Sequence, residues 1–520
     1  MPAGLKTKRY HFNTEASGIS AIRKGYDLMH QSEMPNWLVK RADLSPDRVG
    51  LAYKGETFTF AEIKEEAEKW AGSFYQSGIR RGDTVGLLVG NHPNSVFMIH
   101  SLFFLGVKVL MLNRRLTGRE MEFQLTDSDA SFLILEEAFQ GKLSQMEHPS
   151  SLKVLIADRM NPEKSKDAPL LEEFIENDIA TIMYTSGTTG NPKGVLQTFS
   201  NHWWSAIGSV LNLGLGEQDS WLCSVPIFHI SGLSILMKSV IYGITVVLHE
   251  SFDEEEINRA ILEEGVTTIS VVTSMLNRLI KQLGDRRYPE SFRCMLLGGG
   301  PAPLPLLESC RERNIPVYQT YGMTETSSQI VTLAPEYSIQ KLGSAGKPLF
   351  PARLFIEKDG KEARANEAGE IVVKGPNVVS GYYNRPRQSA EAFRDGWFYT
   401  GDIGMLDEEG FLYVLDRRSD LIISGGENIY PAEIESVLSS HPLIFEAGAA
   451  PHLHERWGQV PYAYVVPAEG ASLTEKEILE FCGENLASYK IPKKIYFVDE
   501  LPRNSSGKLM RRELNSLIKH

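Results

Sequence analysis

Ten residues of this chain, Thr185-Ser-Gly-Thr-Thr-Gly-Asn-Pro-Lys-Gly194, bring together three glycines, four hydroxyl side chains and one lysine. Glycines let backbone N–H groups turn toward an anion, and hydroxyls add donors. Thr185, Ser186, Gly187, Thr188, Thr189, Gly190 and Lys193 therefore read as a phosphate cradle following the apolar run Ala180–Tyr184. The spacing Gly187-x-x-Gly190-x-x-Lys193-Gly194 is not that of the common P-loop, because no Ser or Thr follows the lysine. The plain alternative is a flexible Gly/Ser/Thr surface loop.

Further candidates lie downstream. Gly298, Gly299 and Gly300 follow a short apolar run and precede Pro301. They are either exposed backbone for a flat ring or an ordinary strand-to-helix turn. Tyr321-Gly322-Met323-Thr324-Glu325-Thr326 follows a strand predicted over Val317–Gln319. Residues at that end of an open parallel sheet line a ligand crevice; a helix-start glutamate beside the macrodipole is the other reading of Glu325. His229 follows Pro226 and two apolar residues, where a histidine is usually a satisfied core residue. Ser234 and Lys238 are four apart on a predicted helix Leu233–Tyr242 and so share a face. Lys238 then either enters a pocket or snorkels to solvent. Lys508, near the end on a glycine-containing turn, is by itself an ordinary solvated charge.

Elements that would position these residues alternate along the chain. Strands are predicted at Thr84–Val89, Val107–Leu112, Trp221–Val225, Thr245–Leu248, Thr267–Val272 and Cys294–Leu297. Amphipathic helices are predicted at Asn94–Leu105, His202–Leu213, Asp253–Glu264, Ser274–Leu283 and Leu304–Arg313. Such alternation implies α/β architecture with parallel sheets covered by helices. The blocks on either side of 185–194 predict two similar α/β subdomains meeting at that loop, followed by a small β-rich module over Ala345–Val414. A smaller α+β domain is predicted after Asp416-Arg-Arg-Ser-Asp420. The division expected is an N-terminal extension at 1–33, a large domain at 34–416, a hinge at 417–420 and a mobile domain at 421–520, with the first helix opening at Met34.

At 520 residues the chain exceeds what one core fills. Its net charge of −12 argues against nonspecific nucleic-acid binding and against adhesion to anionic lipid. No apolar stretch reaches the ~18 residues of a membrane span, so no stable membrane insertion is expected. Four scattered cysteines without C-x-x-C spacing suggest reduced thiols in a cytoplasm. The basic start, Met1–Glu33, lacks the apolar core of a secretory signal. Composition leaves a homo-oligomer open.

In order and spacing these segments resemble the acyl-adenylate-forming superfamily from about residue 35 onward. Thr400-Gly-Asp402 and Asp416-Arg417 look like its ribose clamp, and Leu501–Arg511 is similar to its C-terminal lysine motif. The resemblance implies ATP, Mg²⁺ and coenzyme A as small-molecule ligands. Its catalytic set would be Lys508, Glu325 and His229, with Glu325 against Mg²⁺ and His229 beside the acyl chain without a proton-transfer role. Thr185–Gly190, Lys193, Gly298–Gly300, Tyr321, Gly322, Thr324, Asp402 and Arg417 would hold the nucleotide. His229, Ser234 and Lys238 would meet the acid, and Gly425 and Gly426 would face the pantetheine arm. Ser419 stands where the family commonly has Asp or Lys at the hinge. Segments such as Phe228–Ser234 and Ser424–Tyr430 look like the o-succinylbenzoate–CoA ligase branch, whose dicarboxylate substrate suits a lysine in the pocket. Other aryl- or fatty-acyl-CoA ligases, or carrier-loading adenylation enzymes, are the alternatives.

Overall fold

The structure, a computed structural model, describes residues 32–518 except 148–150, 186–191, 299–301, 303, 417–421, 430, 440, 469 and 503–510. Ser186–Gly190, Gly299, Gly300, Arg417, Ser419 and Lys508 therefore lie outside the described residues.

Alternation of strand and helix builds two large sheets. In the first, strands Thr84–Leu88, Lys108–Met111, Phe132–Leu135 and Lys153–Ile156 run parallel, joined by Ile179–Thr185. Lys193–Thr198 closes one edge antiparallel. The second sheet carries a parallel run from Val49–Tyr53 through Thr245–Leu248, Ser220–Cys223, Thr268–Val272 and Cys294–Gly298 to Val317–Met323. The parallel strands are mostly apolar, as expected where helices cover both faces.

Three expectations are corrected. The two halves are not consecutive in sequence: Val49–Tyr53 and Glu56–Thr59, from the chain's start, form the far edge of the second sheet, with Leu51 opposite Val246. Local periodicity does not report such a crossover, since a strand's partner is a nonlocal property. The strand over Val317–Gln319 runs on to Met323, so Tyr321 and Gly322 sit in the sheet instead of after it. Antiparallel pairing with Ser328–Leu333 extends it. The first helix does not open at Met34: Glu33–Pro35 is a strand paired with Glu173–Ile175, and the helix opens only at Trp37, capped by the Asn36 side chain.

That early strand is anchored by aromatic packing. Phe174, opposite Met34, stacks on Phe199 with centroids 3.9 Å apart, and Trp37 meets both rings edge-on. Phe199 opens the helix Phe199–Leu213, whose capping box is Thr198 and Asn201. The predicted β-rich module appears as an antiparallel sheet including Arg353–Lys358, Gly369–Lys374, Trp397–Leu406 and Leu412–Asp416. Lys347–Pro348, however, pairs with the second large sheet. The smaller C-terminal domain centres on the long hairpin Ile444–His454 and Gly458–Pro467, which helices Pro431–Ser439 and Glu475–Asn485 cover.

Phe174→Ala is expected to lower unfolding stability by about 3–5 kcal/mol, because the emptied site sits inside a rigid aromatic cluster. Urea denaturation checks this; a change below experimental error would show that the cluster does not hold the first strand.

Candidate functional site

Four neighbouring parallel strands of the second sheet end at one cavity of about 580 Å³. Ser224, Val225, Pro226, Phe228 and His229 follow Ser220–Cys223; Val272 and Gly298 end their strands; Thr320 and Gly322 to Glu325 lie on or just past a fourth, Val317–Met323. Ligands are bound at this edge of open α/β sheets. From the facing sheet come Thr185 and Lys193, which stand opposite each other in antiparallel register. The ends of the glycine-rich loop are therefore clamped in the cavity wall. A wider hollow on the strands from Arg353 to Tyr399 holds none of the candidate residues.

Glu325 lies in a 3-10 turn, Thr324–Thr326, so it does not open an α-helix. Four successive carbonyls around it are each held by a donor from elsewhere. Gln197 Nε2 donates to Thr324 O (3.0 Å), Val379 N to Glu325 O (2.9 Å), Asn377 Nδ2 to Thr326 O (3.0 Å) and Ser205 Oγ to Ser327 O (2.5 Å). Gln197 itself accepts from Thr181 Oγ1, which also contacts the buried His202 ring. The turn ends with Ser327 and Ser328 at φ of 52° and 109°, a backbone that serine adopts only when surroundings impose it. The Tyr382 hydroxyl donates to Glu325 Oε1 (3.1 Å), while Lys193 Nζ lies 5.1 Å from the centre of the same ring. One tyrosine thus spaces a lysine from a carboxylate. Gly322 is needed here, since a Cβ would meet Ser328 O at 2.1 Å.

Tyr321 donates its buried hydroxyl to Asp402 Oδ2 at 2.8 Å, and the Asp402 N–H donates to Thr400 Oγ1. Gly298 sits across from Val272 in register.

On another side, Ser234 and Lys238 both line the cavity from the helix Ile230–Tyr242. The snorkelling alternative fails: Lys238 is 2% exposed. Its Nζ lies 4.7 Å from the Trp221 ring centre, and no carboxylate pairs with it among the described residues. Burial pushes its pKa down to about 8. His229 precedes that helix, and its Nε2 lies 3.0 Å from Glu427 Oε2.

Glu427 belongs to the C-terminal domain. The hairpin Ile422–Ser424 and Glu427–Ile429 turns through Gly425 and Gly426 at φ of 56° and 89°, the two positive angles that a tight hairpin requires. Gly426 approaches Val272, and a Cβ on Gly425 would strike the Trp457 ring at 2.6 Å. The hairpin tip therefore closes the cavity. Arg115 Nη1 adds a 2.6 Å bond to Glu427 Oε1. Burial opposes the charge of Glu427, but the neighbouring His229 and Arg115 outweigh it and hold the carboxyl below its ordinary range.

Sequence reasoning misses Glu427, Arg115, Tyr382 and Gln197. A glutamine directly after the apolar pair Val195–Leu196 is the available signal for Gln197; Glu427 directly follows Gly425 and Gly426. All four cysteines are buried free thiols, and burial pushes each up to about 12. No group of three or more metal-ligating side chains occurs among the described residues. A lone Glu325 still fits Mg²⁺, which commonly takes one or two protein carboxylates and completes its shell with phosphates and water.

Two family models match the chain: "AMP-binding enzyme" over residues 38–383 and "AMP-binding enzyme C-terminal domain" over 433–508. A 2-succinylbenzoate–CoA ligase of Geobacillus kaustophilus is 59% identical, covering 93% of this chain and 98% of that protein. One from Bacillus subtilis is 51% identical over 94% and 99%. A double mutant of the Bacillus subtilis o-succinylbenzoate CoA synthetase, bound to the product analogue OSB-NCoA, superposes with a TM-score of 0.89 at 51% identity, covering 93% of this chain and 98% of that one. With the acyl-adenylate intermediate OSB-AMP, the enzyme gives 0.73 at 50% identity and the same coverage. With the cavity, its strand-end residues and these full-length matches together, the chain belongs to the AMP-binding enzyme family.

Proposed function

We propose that the chain ligates 2-succinylbenzoate to coenzyme A at the expense of ATP, through an acyl-adenylate, releasing AMP and pyrophosphate, as a step of menaquinone biosynthesis. The observation that carries the choice of acid is Lys238. A buried ammonium facing an acyl pocket is wasted on a fatty chain and complements an aryl carboxylate that stays ionised throughout the reaction.

In the first step a succinyl carboxylate oxygen attacks the α-phosphorus of ATP and pyrophosphate leaves. The clamped loop 185–194, with Lys193, is assigned to the phosphates. Tyr321 with Asp402, and Arg417, are assigned to the nucleoside, and Gly298–Gly300 to the adenine face. Glu325, oriented by Tyr382, would hold Mg²⁺, which offsets phosphate charge when bound. Lys508 is assigned the charge that develops between the two anions. In the second step the thiolate sulfur of coenzyme A attacks the acyl carbon, and AMP leaves. The Gly425–Gly426 turn and His229, held by Glu427, border its path. Thiols as buried as these four cysteines make no covalent intermediate. The higher superposition on the product-analogue complex, at 51% against 50% identity and the same coverage, supports reading the present domain arrangement as that of thioester formation. No helix among the described residues is long and apolar enough to cross a membrane, in keeping with a cytoplasmic enzyme of small molecules.

Acid-dependent ATP–pyrophosphate exchange across mono- and dicarboxylic aromatic acids, followed by identification of the CoA product, tests this reading. Exchange with a monocarboxylic acid in preference to 2-succinylbenzoate would defeat it.

Lys238 carries its proton below about pH 8 and loses it above. The kcat/KM for the acid reports the free enzyme, so it should hold below that pH and decline as pH rises through it. Lys238→Met should remove this break and weaken acid binding at neutral pH by about 2–5 kcal/mol, leaving the KM for ATP near normal. An unchanged acid KM would exclude the contact.

Lys508→Ala should cripple adenylation by about 10²–10³-fold yet convert supplied acyl-AMP and CoA within several-fold of wild type. Ser419→Pro, by restricting the pivot, should show the opposite pattern. Equal slowing of both half-reactions in both variants would count against alternating domain orientations.

A further inference from the structure

Between the two domains, at the wall of the same cavity, lies a buried charge cluster to which neither half-reaction above gives a role. Lys490 Nζ stands 2.7 Å from Glu433 Oε1, in its own domain, and 2.8 Å from Glu120 Oε1, across the boundary on the helix Gly118–Asp127. The lysine is 5% exposed, and both carboxylates are largely buried. We propose that Lys490 is the positioning residue that latches the C-terminal domain in the thioester-forming arrangement; this rests on the functional reading above.

Three features support a latch over a static ion pair. Glu120 divides its oxygens. Oε2 accepts from the Thr117 N–H and hydroxyl at 2.8 and 3.0 Å, closing its own helix's capping box, while Oε1 is left to receive Lys490. The acceptor is therefore held in place whether or not the other domain is docked. Next, the cluster holds two carboxylates and one ammonium, and Glu433 Oε2 is buried without a hydrogen-bond partner. Burial and the nearby Glu120 raise the Glu433 pKa, with Lys490 opposing. Docking thus gains the Lys490–Glu120 attraction and sets Glu120 against Glu433. Undocking removes Glu120, relieves that repulsion and leaves Lys490 paired with Glu433. Breaking and remaking such a contact costs less than stranding a buried charge would, as a motion repeated every turnover demands.

The surroundings point the same way. Ala487, three residues before Lys490, is buried in the apolar cluster of Leu112, Leu116 and Leu125 from the large domain. The neighbouring cross-domain bonds, Asn113 to Tyr489 at 3.3 Å and Arg119 to Asn485 at 2.7 Å, join neutral groups or exposed ones. Lys490 is the deeply buried cation at this seam among the described residues.

The test uses the full chain with Lys490→Met, Lys490→Arg and Glu120→Gln, each assayed in two half-reactions. Lys490→Met should keep ATP–pyrophosphate exchange within about twofold. It should slow conversion of supplied acyl-AMP and CoA by about 10–100-fold, the scale of losing a charge pair that sets geometry. Glu120→Gln, which keeps the capping geometry, should fall in the same direction by less, and Lys490→Arg should recover part of the rate. Equal slowing of both half-reactions with a lowered Tm would mean a merely structural role, and an unchanged thioester rate would also overturn the proposal. Small-angle X-ray scattering gives a readout independent of chemistry: the Lys490→Met profile should depart from that of this arrangement, and an unchanged profile overturns the latch. Should Lys490→Met fail to fold, Glu120→Gln takes its place in both measurements, and an unchanged thioester rate or an unchanged profile in that variant overturns the latch equally. Wild type without exchange on any acid would instead defeat the functional reading, leaving scattering to decide the latch.

Discussion

The candidate site depends on one backbone constraint: the turn at Thr324–Ser327 has no freedom to choose where Glu325 points. Its carbonyls are taken by donors from three parts of the large domain: a strand, a helix, and the segment after Gly369–Lys374 that supplies both Asn377 and Val379. A short turn by itself is held by little more than local bonds and would wander. Tethering it from several sides converts the packing of two sheets and a module into the position of one carboxylate. The left-handed serines that follow show that the tethers override local preference. A preorganised group avoids reorganisation at the moment of reaction, where electrostatic catalysis gains most.

The cavity's other wall obeys a different rule. Lys238 is kept charged in a dry place with an aromatic face for company, which leaves part of its desolvation cost uncompensated. A ligand carboxylate would supply the missing partner, so affinity and discrimination arise from one deficit. His229 has its partner already, in Glu427, but that partner arrives with the C-terminal domain. On the proposed reading, the acid pocket is therefore built by the large domain alone, whereas the thiol approach is built by both.

How much of this is legible in the residues follows from where each signal resides. The paired ends of the 185–194 loop, the strand–helix alternation, the Lys238–Ser234 face and the hairpin glycines are local patterns, written within a few residues of one another. Tyr382 reaches Glu325 across 57 positions and Glu427 reaches His229 across 198; nothing near either residue announces the partner. The same reason hides the placement of Val49–Thr59 and the extension of the strand to Met323, since both are decided by a neighbouring strand. A buried charge such as Lys238 is ambiguous in sequence because amphipathic helices carry lysines on their rims routinely. Only burial separates the two cases.

The distant edge of the second sheet has a consequence for how the chain is made. Leu51 leaves the ribosome roughly 195 residues before its partner Val246, and at about 5–20 residues per second that is a delay of some 10–40 s. During that interval the Val49–Thr59 hairpin has no sheet to join, and an isolated hairpin is marginally stable in water. The first sheet, complete by Thr198, has all its strands during part of that wait. Nascent chains should therefore pass through a stage with one finished sheet and an unclaimed amino-terminal edge. In the cell that edge is the segment most in need of shielding by chaperones, although in the finished enzyme it is ordinary, well-packed structure.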